Sequence, residues 1–441
     1  MNSHRKFSLM TPNWMIPVLT LLAVLVSACA STPRPTPPEE GAPLGQPWGS
    51  VPLQAAAGEI DKNIADSFIR SLQATRDEMR QAGVTGKIPY RALTLSGGGS
   101  RGAYGAGVLS GWTERGDRPQ FDVVTGISTG ALMATHAFLG PEFDDDLAIY
   151  KTMGDDDVFR ELSLMKALKG PAMLETTPLR ETLLTFITEG TLDRVAAEYR
   201  KGRRLFIGTT NLDANVFTVW DMGQIAGSAR ADRLKRYIDV VMASAAFPIA
   251  FPPIYLEVEG ESGTFTEMHA DGGIRESAFF FDFDLLEDVR QAMETAGIHE
   301  NEFRQELYLL INAPLAGTGT RSYKPIEGRM GPIAEATVDA FLTKVTQGSV
   351  YRLWVLAMVH GADFHLSFVP PDFEFTTGSL SFDVAEQTAL FDRGYQQALE
   401  GVAWATQFAP ASTEELIRLI EDPASTFDRH QSPAWLQRDK R

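Results

Sequence analysis

The stretch FDVVTGISTGALM, residues 121–133, decides how the chain is read. Phe121 to Ile127 is a short run of apolar and β-branched residues, the pattern of a buried strand, and Thr129 to Leu139 follows as a helix. Gly126-Ile127-Ser128-Thr129-Gly130 therefore falls at a strand-to-helix turn. In that context G-x-S-x-G forms a nucleophile elbow, with the serine pushed out at the tip near a helix N-terminus. Gly126 and Gly130 leave room for the strained turn and for close strand–helix approach. The bland alternative makes Ser128 a plain helix N-cap.

About one supersecondary unit upstream, Tyr90 to Ser96 is another β-prone run. It ends in Ser96-Gly97-Gly98-Gly99-Ser100-Arg101-Gly102, and Gly102 to Trp112 reads as a helix lined by small residues. A glycine-rich turn opening a helix presents backbone N–H donors suited to an anion, either a phosphate or the oxyanion of an acyl-transfer intermediate. Gly97, Gly99 and Gly102 also satisfy G-x-G-x-x-G. Dinucleotide binding would want an acid near the end of the next strand. Asp122 lies at the start of that strand instead. Far downstream, the strand Thr264 to His269 ends near Asp271-Gly272-Gly273, where a carboxylate beside two glycines is sterically open. On its own, D-G-G is a common turn.

Around these motifs strands and helices alternate. Further strand candidates are 204–209, 216–221, 253–258, 264–269, 306–311 and 364–369. Helix candidates are 59–82, 142–153, 157–169, 178–189, 230–245, 283–296, 332–360, 382–407 and 412–421. The alternation predicts an α/β fold, three-layer α/β/α, around a mainly parallel central sheet. Ligands in such sheets bind at the carboxyl ends of strands, where the serine and glycine motifs fall.

Taken together, the order of oxyanion glycines, G-x-S-x-G, Ala243-Ser244-Ala245-Ala246-Phe247-Pro248 with Phe251, and D-G-G resembles the patatin-like phospholipase family across about residues 91–275. The resemblance implies serine acyl-ester hydrolysis of lipids without a cofactor or a catalytic histidine. It assigns Ser128 as nucleophile and Asp271 as general base. Gly97, Gly98, Gly99, Arg101 and Gly102 form the oxyanion loop, with Arg101 orienting it or facing a substrate phosphate; Gly126 and Gly130 are the elbow glycines. After Asp271 the chain departs from the family, reading Ile274 to Phe281 where a polar-Pro stretch is usual.

Rival readings stay open at this point. The order Ser128, Asp271, then His360 or His365 also suits a Ser–Asp–His triad. A non-catalytic envelope scaffold would keep the same fold. His269, two residues before Asp271, reads as packing. Asp144 to Asp146 and Asp155 to Asp157 lack the ligand spacing of an EF-hand and read as solvated charge, and no metal site is expected. The segment 158–174 is amphipathic and reads either as core helix or as an interfacial lid; Phe279 to Phe281 carries the same two readings.

The start of the chain reads as an address. Arg5 and Lys6 precede an apolar run from Met15 to Val26, which is too short to span a bilayer and suits a signal peptide. Val26-Ser27-Ala28-Cys29 resembles a bacterial lipobox, which implies cleavage at 28 and acylation of Cys29, the only cysteine. Ala30 then points to the outer membrane. The Pro- and Gly-rich stretch to residue 53 reads as a tether. The expected organisation is signal peptide 1–28, lipidated cysteine and tether 29–53, catalytic domain 54–290, and an elaboration at 291–441 that completes the same α/β unit. With 40 Lys and Arg against 57 Asp and Glu, a formal charge of −17 argues against nucleic acid as partner. The expected partners are a membrane lipid substrate and the anchor.

Overall fold

The structure is a computed structural model that describes Arg34 and residues 47–51, 62–260, 263–280, 287–315 and 325–405. The signal peptide, Cys29, most of the tether and the helix expected at 412–421 lie outside the described residues.

A nine-stranded sheet organises the chain. Its strands are β1 (Ser50–Val51), β2 (Ile88–Leu95), β3 (Val123–Gly126), β4 (Arg204–Asn211), β5 (Val216–Asp221), β6 (Ile254–Gly260), β7 (Gly263–Asp271), β8 (Phe303–Ile311) and β9 (Asp363–Phe368). β9, β8, β2, β3 and β4 run parallel, each paired with the next. β5 then pairs antiparallel with β4, and β1 with β5. Every residue of β3 and β4 is buried, as expected for parallel strands covered on both faces. β1 lies inside the stretch read as tether: two of those residues join the sheet edge, and Trp48 beside them packs under the guanidinium groups of Arg230 and Arg236.

The main helices are α1 (Lys62–Gln81), α2 (Gly102–Arg115), α3 (Thr129–Leu139), α4 (Arg233–Ser244), α5 (Met330–Val359) and α6 (Val384–Leu399). They divide between the two faces of the sheet. α1 buries Ile64, Phe68 and Leu72 against β2 and β8, beside Val350, Leu353 and Trp354 of α5. On the opposite face α2, α3, α4 and α6 bury Leu109, Phe138, Tyr237 and Leu390 in a second core. α2 and α6 touch backbone to backbone: a Cβ on Gly107 would lie 2.0 Å from the Phe391 carbonyl oxygen, and one on Gly394 2.3 Å from that of Tyr104.

Several expected helices differ. The segment 157–169 is not continuous. A short turn at Asp155–Val158, the bridge strand Arg160–Glu161 paired with Leu174–Glu175, and the helix Leu164–Lys169 replace it. The helix expected at 178–189 stops at Phe186, because Thr188 caps a new helix, Glu189–Arg200, through the Thr191 N–H. Residues 141–151 wind as a 3-10 helix, with Asp144 turned inward to Arg118 and Thr113, each at 2.5 Å. Asp144 is therefore a buried ion-pair partner and not solvated charge.

Candidate active site

The edge of β4 explains how two residues 143 positions apart come together. β5 occupies one edge of β4 over residues 206–211. The other edge is shared. β3 pairs with residues 204–207, ending at Gly126 opposite Ile207, and β7 pairs with residues 209–211, ending at Asp271 opposite Thr209. β3 runs with β4 and β7 runs against it, so their C-terminal ends meet head to head. Ser128 leaves the first end and Asp271 closes the second.

The Ser128 side chain lies close enough to the Asp271 carboxylate to act on it, favouring its ionised form. Ser128 has φ 54° and ψ −125°, a left-handed conformation that costs a non-glycine residue roughly 1–3 kcal/mol and needs its surroundings to hold it. Those surroundings are tight. A Cβ on Gly130 would lie 2.3 Å from the Leu95 carbonyl oxygen, so α3 crosses directly over the end of β2. The Ser128 N–H donates to the Ser244 hydroxyl at 3.0 Å, and that hydroxyl donates to the Gly208 carbonyl at 2.6 Å.

Asp271 is only 3% exposed. One carboxylate oxygen accepts the Gly273 N–H at 2.7 Å. Its own N–H donates to the Ala246 carbonyl, and its carbonyl accepts the Thr210 hydroxyl. Burial raises the carboxyl to about 6, against the pull of the nearby Ser128 side chain and the Gly273 N–H. The small-residue segment 243–248 thus holds both halves of the pair: Ser244 fixes the Ser128 backbone and Ala246 the Asp271 backbone.

The glycine loop divides by where its N–H groups point. That of Gly97 donates to the Ser277 carbonyl, that of Arg101 to Gly98, and that of Gly102 to Gly99 and Ser100. These three are engaged within the fold and are not oxyanion donors. Gly102 instead lets α3 approach: a Cβ there would lie 2.1 Å from Thr129 Oγ1. The N–H groups of Gly98 and Gly99 have no acceptor among the described residues, and neither does that of Thr129, the first residue of α3. Thr129 follows Ser128 directly, and the loop lies against it: a Cβ on Gly97 would touch the Ser128 Cβ at 3.2 Å. The Arg101 guanidinium lies 4.4 Å over the Phe375 ring, with its Nε unpartnered and its pKa lowered by burial. It packs against the C-terminal segment.

Two supports of the loop have no motif in the sequence. Asn312, completely buried just past β8, donates its N–H to Ser96 Oγ at 2.8 Å and its amide to the Ser96 carbonyl at 2.9 Å, and accepts the Gly105 N–H at 3.1 Å. The Ser379 carbonyl accepts the Ser100 N–H at 2.9 Å. Gly99, at φ 59°, is the residue that tolerates this contact, since a Cβ would stand 2.0 Å from that carbonyl oxygen.

The candidate histidines are elsewhere. His365 stacks on Tyr308 at 4.3 Å, in the middle of β9, and His360 caps the C-terminal end of α5. Neither is among the groups acting on Asp271. His269 is buried between Thr209 and Glu267, as a packing residue would be. Among the described residues no group of three His, Cys, Asp or Glu side chains is arranged to hold a metal, and no helix is long and apolar enough to cross a membrane.

Comparison with known proteins bears on this geometry. Residues 93–284, from within β2 to beyond Asp271, match the family profile described as patatin-like phospholipase. This stretch is a patatin-like phospholipase domain. A curated relative, a cGAMP-activated phospholipase from Pseudomonas aeruginosa, is 28% identical over 204 residues, which is 43% of this chain and 54% of that protein. The chain thus spans about half the length of the relative it matches. The crystal structure of VipD from Legionella pneumophila aligns with 73% of this chain and 68% of its own at 14% identity, with a TM-score of 0.29, too loose to bear on fold or function. The patatin-like domain has the family's three-layer α/β/α arrangement around a mainly parallel sheet. Asn312 and Ser379, which brace its glycine loop, both lie beyond the matched residues.

Proposed function

We propose that the protein is a serine acyl-ester hydrolase acting on the fatty-acyl esters of phospholipids or lysophospholipids through Ser128 and Asp271. The observation that carries this is the meeting of a serine in a strained elbow with a buried carboxylate raised to about 6, beside unengaged backbone donors. Ser128 Oγ attacks the ester carbonyl carbon while Asp271 takes its proton. The N–H groups of Gly98 and Gly99 receive the oxyanion. The tetrahedral species collapses, the C–O bond to the leaving alcohol breaks, and that alcohol takes the proton from Asp271. Water then attacks the acyl-enzyme, giving its proton to Asp271, and the fatty acid leaves as Ser128 regains it. A carboxylate is a weak base toward a hydroxyl. The reading therefore leans on alignment and on the oxyanion donors, each typically contributing about 3–4 kcal/mol where measured in other enzymes.

Fluorophosphonate labelling with mass mapping tests it. An adduct on Ser128 in the wild type, absent in Ser128→Ala and at least about a thousandfold slower in Asp271→Asn, is expected. An adduct on another serine refutes the site, and a folded wild type that neither labels nor hydrolyses a fatty-acyl ester favours the scaffold reading. As part of the same reading, Cys29 carries a lipid that holds the chain at the bacterial outer membrane. Metabolic incorporation of an alkyne fatty acid that survives Cys29→Ala overturns that assignment.

A further inference from the structure

Large apolar side chains stand in solvent on two segments that hydrogen bonds tie to the surroundings of Ser128. On one side the loop after α4 returns through Ile249, which is 72% exposed and has φ 71°. A β-branched residue with positive φ is a genuine outlier and signals a segment held against its own preference. Ile249 accepts the Met173 N–H at 2.9 Å, and Ala250 that of Leu174 at 3.0 Å. These bonds bring Met173, 59% exposed, to the same rim, and Leu162 bonds the Met173 carbonyl three residues before Met165, 64% exposed. Ile249 is three residues from Ala246, whose carbonyl holds the Asp271 backbone. Lys166 and Lys169 are exposed beside the methionines. In a chain of formal charge −17, residues 160–175 hold more cations (Arg160, Lys166, Lys169) than carboxylates (Glu161, Glu175).

On the other side stands the N-terminal half of α5. Thr346 bonds the Ser277 hydroxyl and Ser349 accepts the Ser277 N–H, while the Ser277 carbonyl accepts the Gly97 N–H. From this anchor at the glycine loop the helix runs back through residues 345 to 330, about 22 Å at 1.5 Å per residue. Asp339 is close enough to act on Arg101. Along this half Phe341, Val338 and Ile333 are exposed, whereas Val350, Leu353 and Trp354 of the other half are core. Isolated exposed apolar residues need no explanation, but groups on two segments tied to the same site do.

We propose that Met165, Met173 and Ile249 on one flank, and Val338 and Phe341 on the other, form an interfacial docking surface that seats the domain on an aggregated anionic phospholipid surface with Ser128 facing it. This deepens the hydrolase reading by stating the physical form in which the substrate is met. Apolar side chains enter the headgroup boundary while the neighbouring lysines meet anionic headgroups. Access of an acyl chain to Ser128 then needs no passage through water.

Because Cys29 is the only cysteine, site-specific labelling is direct. Full-length Cys29→Ser protein is given one new cysteine, as Met173→Cys, Phe341→Cys or, on the remote helix α1, Asp77→Cys, and labelled with an environment-sensitive fluorophore. Vesicles of phosphatidylglycerol and phosphatidylcholine with a brominated acyl chain are then added. Quenching at 173 and 341 but not at 77 is expected. Equal quenching at all three positions, or none at 173 and 341, overturns the proposal, and neither result depends on turnover. In a second arm, Met173→Ser with Phe341→Ser should lower hydrolysis of vesicle lipid about tenfold while leaving hydrolysis of a soluble short-chain ester unchanged. Equal loss on both substrates overturns docking, whereas a wild type inert on both refutes the hydrolase reading and leaves the quenching result standing.

Discussion

Ser244 is tied to Ser128 through the backbone: the Ser128 N–H donates to the Ser244 hydroxyl at 3.0 Å, and that hydroxyl in turn donates to the Gly208 carbonyl on β4 at 2.6 Å. The strained elbow is thereby pinned to the strand whose edge also aligns Asp271. Ser244→Ala leaves the half-buried Ser128 N–H without its protein partner, a cost of about 1 kcal/mol. With the elbow free to relax, kcat on a soluble ester should fall roughly tenfold to a hundredfold. KM should change little, because Ser244 faces the backbone and not the mouth. Steady-state kinetics with separate kcat and KM check this; a change confined to KM contradicts it.

The pH profile follows from the Asp271 carboxyl. It must be ionised to accept the Ser128 proton, and burial raises it to about 6. The kcat/KM of the free enzyme should therefore rise with pH through about 6 and level off above it. A profile already flat from pH 4.5 upward argues against Asp271 as the base.

The same burial has a cost in stability, opposite in sign to the usual aspartate. A carboxyl raised on folding favours the native state below its unfolded value of about 3.9, and that contribution is lost as pH rises through about 6. Asp271→Asn keeps an acceptor for the Gly273 N–H and removes the buried charge. It should melt a few degrees above wild type at pH 8, with the difference vanishing below about pH 4. Thermal denaturation at the two pH values reads this directly, and a variant less stable at pH 8 contradicts it.

Asn312 is predicted to position the glycine loop from outside the matched domain. Its side chain bonds the Ser96 carbonyl and caps the Gly105 N–H in the first turn of α2. Asn312→Ala should lower kcat about tenfold or more through displaced Gly98 and Gly99 donors. The rate of fluorophosphonate labelling should drop in parallel and KM should hold. An unchanged labelling rate in a folded variant removes the assignment.

Much of this was legible in the chain because backbone requirements leave local marks. Gly126 and Gly130 flank Ser128 since a strand-to-helix reversal that tight excludes a Cβ, so the elbow is written in five residues. The alternation of β-prone and helical runs announced a parallel sheet, and the strands at 204–209, 216–221 and 306–311 lie where they were expected. Breaks were less visible. The segment 157–169 has the composition of one amphipathic helix, yet residues 160–161 pair with 174–175, where residues 173–174 are in turn held by 249–250, and this divides it. Residues 249–250 are remote in sequence, and a strand pairing of two residues leaves no periodic signal.

The sequence by itself determined that a serine would stand at a glycine-flanked turn, with glycines ready to open a helix nearby, because those demands are met by residues close along the chain. Which carboxylate would reach that serine, which amides would be left unengaged, and that Ser244, Asn312 and Ser379 would brace them were decided only in three dimensions. Two strands of opposite direction share one edge of β4, and hydrogen-bond partners brought together by such pairing are fixed by register between distant segments, which no local pattern encodes.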